Sequence, residues 1–137
     1  MMLADRIRLA PTASEVSRFN GWFDRRCADS GIENTLAADM KLCINEVLAN
    51  LISYGFTNTG KPWMVVKIRL RPGKAVARVI DNGTYFDLRG WEPRADRNLR
   101  TAEPVGGYGI GLIKERASRI NYARLCGVNR LKIVCEA

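Results

Sequence analysis

The stretch from Trp63 to Asp81 reads WMVVKIRLRPGKAVARVID. Val66, Ile68 and Leu70 alternate with Lys67, Arg69 and Arg71, the period of a strand with one apolar face. Pro72-Gly73-Lys74 turns the chain, and Ala75 to Asp81 returns as a second strand, which predicts a hairpin. Its other face carries Lys67, Arg69, Arg71 and Arg78. A sheet that is apolar on one face and basic on the other is covered by helices on one side only.

Helices to cover the apolar face lie upstream. Arg6 to Ala10 alternates and meets Pro11, so it reads as a short edge strand. Thr12 and Glu15 have the spacing of a capping box ahead of Val16, Phe19, Phe23 and Cys27, predicting an amphipathic helix over 13–29 that Gly31 stops. Asn34 or Thr35 caps a second helix. There Leu36, Met40, Cys43, Ile44, Val47, Leu48 and Leu51 keep helical period to about Tyr54, and Gly55 ends it. Residues 82–108 show no period and are rich in Arg, Pro and Gly, the mark of a functional or mobile loop. Ile110 to Ile120 resumes helical period. Tyr122 to Cys126 and Leu131 to Cys135 flank Gly127-Val128-Asn129 as a final hairpin. This order predicts an α+β two-layer sandwich in one domain over 1–137, with a mixed, mostly antiparallel sheet and helices on one face.

Composition narrows the chemistry. The 137 residues hold 22 Lys+Arg, 14 Asp+Glu, four Cys and no His. The absence of His removes His-based triads, His-containing zinc sites and a His phosphoacceptor. The four cysteines form no C-x-x-C pair and sit among apolar neighbours, so they read as core thiols of a reducing, cytoplasmic compartment rather than a metal site. The start is charged too early for a secretory signal, and no apolar run approaches the length that spans a bilayer. Residues 1–60 carry six basic and seven acidic residues, whereas 61–137 carry sixteen and seven. The whole excess therefore lies in the second half. It suits an anionic partner (a nucleotide, a nucleic acid or an acidic protein) or forms a solvated basic surface.

Three short motifs can carry chemistry. Glu46 and Asn50, one turn apart on the second helix, share a face. Such a pair can orient a nucleophile and ligate a hard cation, or is a plain surface pair. Asp81-Asn82-Gly83 ends a strand, where a carboxylate can accept a hydrogen bond from a ligand amino group, although the same residues make a plain β-turn. Gly106-Gly107-Tyr108-Gly109-Ile110-Gly111 stands just before a predicted helix. Its backbone amides can face an anion at the helix N-terminus, or the segment is a hinge.

In this order, on these elements, the motifs resemble the GHKL ATPase superfamily. Glu46/Asn50 match its first box, Asp81-x-Gly83 its second and Gly107-x-Gly109-x-Gly111 its third. Thr12–Phe23, Tyr54-Gly55-Phe56, Phe86-Asp87 and Gly127-Val128-Asn129-Arg130-Leu131 look most like one branch, the anti-sigma-factor serine/threonine kinases of bacterial partner-switching systems. The resemblance implies a Bergerat-type ATP-binding fold that uses ATP and Mg²⁺. Glu46 would be the general base and Asn50 the Mg²⁺ ligand. Asp81 would read the adenine amino group, Gly83 would let the base approach, and Gly107, Gly109 and Gly111 would cradle the phosphates. It implies transfer of the γ-phosphoryl group to a serine of an antagonist protein, and mutually exclusive sequestration of a sigma factor or other effector. It also implies a possible homodimer, formed through the open sheet face or the first helix. The alternative is a nucleotide-regulated binding module without kinase activity. Nucleic-acid binding by the basic sheet face is disfavoured, because stacking aromatics are missing there apart from Trp63. Two features depart from the family pattern. Tyr85 stands where a further glycine is common, and the lid segment holds Arg89, Arg94, Arg97 and Arg100, which would contact phosphates or stay solvated.

Overall fold

The computed structural model describes residues 3–90 and 106–137. Strand β1 (Leu3–Leu9) leads into helices α1 (Ala13–Ser30) and α2 (Asn34–Asn50). A π-helical turn (Leu51–Gly55) prolongs α2, and the hairpin β2 (Met64–Arg71) and β3 (Lys74–Asp81) follows. A short 3-10 turn (Leu88–Gly90) precedes helix α3 (Gly106–Arg116) and the closing hairpin β4 (Arg119–Leu125) and β5 (Val128–Glu136). The sheet order is β1-β2-β3-β5-β4, and all four pairings are antiparallel. β1 is an edge strand, as its terminal Pro11 predicts.

The helices lie on one face and the core forms between the layers. Phe19 and Phe23 of α1 and Met40, Ile44 and Leu48 of α2 are fully buried against Met64, Val66, Val79 and Ile133 of the sheet. β2 alternates buried and accessible positions along most of its length, with Lys67, Arg69 and Arg71 outward. Asn20 and Asn45 exchange side-chain hydrogen bonds at 2.8 and 3.2 Å and fix α1 against α2.

Glu15 does not close the expected capping box. Thr12 makes no side-chain cap, and the Glu15 carboxylate instead accepts the Ala10 N–H at 2.9 Å. It also binds Arg18 at 2.9 Å, and Arg18 in turn donates to the Arg8 carbonyl at 2.6 Å. The pair thus ties the start of α1 to β1. The Arg18 guanidinium and the Ala10 N–H hold the Glu15 carboxyl down at about 2.

Three cysteines are core thiols. Cys43 and Cys135 are buried, Cys135 donates to the Arg116 carbonyl at 3.9 Å, and the neighbouring Cys135 thiol together with burial pushes the Cys43 thiol far up. Cys27 is half-buried against the core, and burial raises it to about 11. Cys126 departs from the expectation. It is exposed in the β4–β5 turn at φ 51°, followed by Gly127 at φ 77°. Two successive positive φ values make this a two-residue turn of the kind that matches strand twist. The turn therefore closes at Gly127, and Asn129 belongs to β5 instead of the expected loop.

Candidate functional site

Asp81 ends β3 directly opposite Asn129 of β5. Both are buried, at 5% and 4% exposure, and they are the only buried polar side chains among the described residues. A buried polar group must find partners or lose its hydration. Asp81 Oδ1 finds two: the Gly83 N–H at 2.8 Å and the Asn129 amide at 2.9 Å. No donor among the described residues reaches Oδ2. Burial pushes the Asp81 carboxyl above the usual carboxylate range, partly offset by the Asn129 amide, the Gly83 N–H and the Arg124 charge. The result is an acceptor oxygen kept dry and oriented, with capacity left for an incoming N–H donor.

Asn129 is the hub of this end of the molecule, and the sequence reading passed over it. Its amide also donates to the carbonyls of Gly83 and Thr84 at 3.2 and 3.0 Å. Its oxygen accepts from Arg124 at 2.8 Å and from the Tyr122 hydroxyl. Arg124 reaches the Gly83 carbonyl at 2.9 Å. The signal that finds Asn129 is the two-residue turn, which moves it from the loop into strand register with Asp81. Asn82 faces elsewhere. Its side chain accepts the Trp63 N–H at 2.9 Å and donates to the Lys61 carbonyl at 3.0 Å, closing the mouth of the β2–β3 hairpin.

Gly83 is fixed by a close approach. A Cβ there would sit 2.4 Å from the Gly55 carbonyl oxygen, which also accepts the Thr84 N–H at 2.9 Å. The π-helical turn after Asn50 thus carries α2 up against the loop after β3. Such turns occur preferentially at functional sites. Tyr85, the departure at the second box, is 63% exposed and stacks edge-on with Tyr122 at 5.5 Å between ring centroids.

Glu46 and Asn50 are both half-buried on α2. Gly107, Gly109 and Gly111 lie inside α3 and not ahead of it. Glycine disfavours a helix interior by about 1 kcal/mol, so packing rather than propensity holds this one. The reason is visible at Gly109. A Cβ there would meet Glu46 Oε1 at 2.2 Å, so glycine lets α3 rest on that carboxylate without displacing it. At its other end α3 is tied to α2 by Arg116 and Asp39 at 2.9 Å. Lys114 donates to the Arg89 carbonyl at 3.0 Å. Arg89 itself is held by Asp87 at 2.7 Å, while Arg94, Arg97 and Arg100 lie outside the described residues.

The three motifs therefore meet along one spine. Glu46 meets Gly109 of the third motif, Asn50 follows one turn on, and Gly55 meets Gly83 of the second. Oxygen donors beside a glycine-bearing helix start suit a phosphate-bound hard cation. A cation such as Mg²⁺ is commonly held by one or two protein oxygens together with phosphates. No group of three His, Cys, Asp or Glu side chains gathers among the described residues, so Asn50 would need the phosphates as co-ligands. No helix of the described residues is long and apolar enough to cross a membrane.

Comparison with known proteins bears on the fold and the family. The chain is 25% identical over 134 residues to the serine/threonine-protein kinase BtrW of Bordetella bronchiseptica, covering 97% of this chain and 94% of that protein. The fold matches the structure of the RsbU and RsbW domains of Rv1364c from Mycobacterium tuberculosis with a TM-score of 0.68 at 18% identity. That match covers 98% of this chain and 32% of the other, so the present chain spans about a third of it. Residues 9–134, nearly the whole chain and all three motifs, match the histidine kinase-like ATPase domain, and the protein belongs to that family.

Proposed function

We propose that this protein is an ATP-dependent protein serine kinase, a single domain over 1–137. It phosphorylates an anti-sigma-factor antagonist and holds a sigma factor or another effector when the antagonist is modified. The observation that carries the reading is the shared spine: Glu46, Asn50 and the close contacts of Gly109 and Gly83 along α2 and its π-helical extension. Asp81 Oδ2 accepts the adenine amino group, and the open amides of the first turn of α3, around Gly107 and Gly109, face the phosphates, with Gly111 on the next turn. Asn50 would hold Mg²⁺, which neutralises phosphate charge. Glu46 accepts the proton of the attacking serine hydroxyl, the new O–P bond forms, and ADP leaves with the electrons of the broken bond. Positioning and charge neutralisation supply most of what such a transfer needs.

The partner logic follows from charge. A phosphoserine adds roughly two negative charges, enough to change which partner the kinase retains. An antagonist that is modified no longer competes for the effector.

The test uses γ-labelled ATP, purified protein and fractions of the source cell, with phosphorylated residues mapped by mass spectrometry. Wild type should label a serine of one protein. Glu46→Ala should retain ATP binding and lose about 10²- to 10⁴-fold in transfer, the usual contribution of a general base. Wild type that binds ATP but labels nothing in any fraction would replace the kinase with the nucleotide-regulated binding module.

A further inference from the structure

A row of cations crosses the sheet face turned away from the helices. Arg6 lies opposite Lys67, Lys67 opposite Arg78, and Arg78 opposite Lys132. The four make one row across β1, β2, β3 and β5. At about 4.8 Å between strands the row is about 14 Å long. Like charges directly opposite each other destabilise a sheet, and here that happens three times in succession. Among the described residues none of the four side chains forms an ion pair. Asp5 does not relieve them, because its carboxylate is held by Arg26 of α1 at 2.8 Å. Glu136, on the same face, is engaged by Arg119 and lies 4.0 Å from Lys74.

The shape of the face narrows the partner. Arg6, Lys67, Arg69 and Arg78, together with Asp5 and Ile68, line a depression of about 650 Å³. On the same face Val76 and Ile80 are each 8% exposed and Val134 is 1% exposed, although no helix among the described residues covers them. Arg69 lies opposite Val76 and Arg130 opposite Ile80, and long cations cover apolar neighbours with their alkyl stems while keeping the charged heads outermost.

We propose that this face docks an acidic helix of a partner protein, lying across the strands. Carboxylates one turn apart on a helix recur about every 5.4 Å, close to the strand spacing, so four of them meet the four cations in register. The helix diameter of about 10–12 Å suits a concave depression. A single-stranded nucleic acid would want aromatic platforms, and no aromatic side chain projects from the strands on this face. Trp63, just before β2, is covered by the Arg8 guanidinium at 5.8 Å. A second copy of the chain would bring an identical row of cations, so this face does not pair with itself. Partner recognition here is separate from the nucleotide site and does not depend on phosphoryl transfer.

The test is fluorescence anisotropy with a labelled helical peptide bearing Glu at i, i+4, i+7 and i+11. A control peptide has the same composition with its Glu residues spread round the helix. Wild type should bind the one-faced peptide at least about tenfold tighter than the control, a discrimination of about 1.4 kcal/mol. Binding should weaken with salt. Lys67→Glu/Arg78→Glu should lose that affinity at least about tenfold, and the neutral pair Lys67→Gln/Arg78→Gln should fall between. Neither variant should fall below the wild-type thermal midpoint, since each relieves like-charge pairs across the strands, and this separates lost docking from lost folding. Equal binding of the two peptides, unchanged binding by the variants, or tighter binding of a single-stranded or duplex oligonucleotide would each overturn the proposal. No nucleotide is present in the assay, so the kinase reading can fail without affecting it.

Discussion

Asp81 holds a charge where the fold would prefer none. Burial raises its carboxyl, so the folded chain binds that proton more tightly than the unfolded chain does. The sign follows from linkage. This group's contribution to stability is greatest below the unfolded pKa and declines as pH rises through the folded one. At neutral pH the ionised carboxylate therefore costs stability, and its use lies in the free Oδ2. Asp81→Asn keeps an oxygen for the Gly83 and Asn129 donors but turns the free acceptor into a donor. Nucleotide affinity should fall about 10- to 100-fold, the scale of a hydrogen bond to a charged group. The thermal midpoint at pH 7 should be equal to or higher than that of wild type. Calorimetric titration and thermal scans of the two proteins check both halves. A variant that binds ATP normally would remove Asp81 from the site.

At the scale of the element, α2 with its π-helical turn is the part that assembles the site. It is positioned on one side by the buried Met40, Ile44 and Leu48 and on the other by two glycine contacts. The contact at Gly83 is backbone against backbone, and the Gly55 carbonyl cannot swing aside as a flexible side chain would. Gly83→Ala should therefore separate the loop after β3 from the turn after α2. Overpacking of this kind typically costs about 1–3 kcal/mol. Nucleotide affinity should fall with it, since Asp81 takes one of its hydrogen bonds from the Gly83 N–H. Chemical denaturation with unchanged slope, alongside ATP titration, measures both effects. A variant as stable as wild type would mean that the loop relaxes without strain.

For the whole molecule, ligand binding and folding are linked. A nucleotide that binds only the folded chain at 100 times its Kd stabilises by about 2.7 kcal/mol. For a domain of this size that corresponds to a rise of a few degrees in the thermal midpoint. At the same concentration, ATP with Mg²⁺ should produce that rise in wild type and in Lys67→Glu/Arg78→Glu, and a rise of about half or less in Asp81→Asn. A scan series across the three proteins separates the nucleotide site from the basic sheet face in one experiment. Absence of the rise in wild type would count against the nucleotide site as a whole.

The sequence by itself determined the layers and the three motifs. Strand alternation in Val66, Ile68 and Leu70 and helical spacing in Phe19, Phe23, Met40 and Ile44 are local periodicities, and burial follows them directly. Glu46 and Asn50 were legible for the same reason, being one turn apart on one helix. Tertiary structure alone decided how distant segments meet. Asn129 became the hub because a two-residue turn at Cys126-Gly127 shifted it into register with Asp81, and one residue more in that turn would have changed its face. Gly83 and Gly109 proved to be sites of close approach to Gly55 and Glu46, contacts between segments far apart in the chain that no local pattern encodes. The row Arg6, Lys67, Arg78 and Lys132 draws on four strands. Only the hydrogen-bonded register brings its charges side by side.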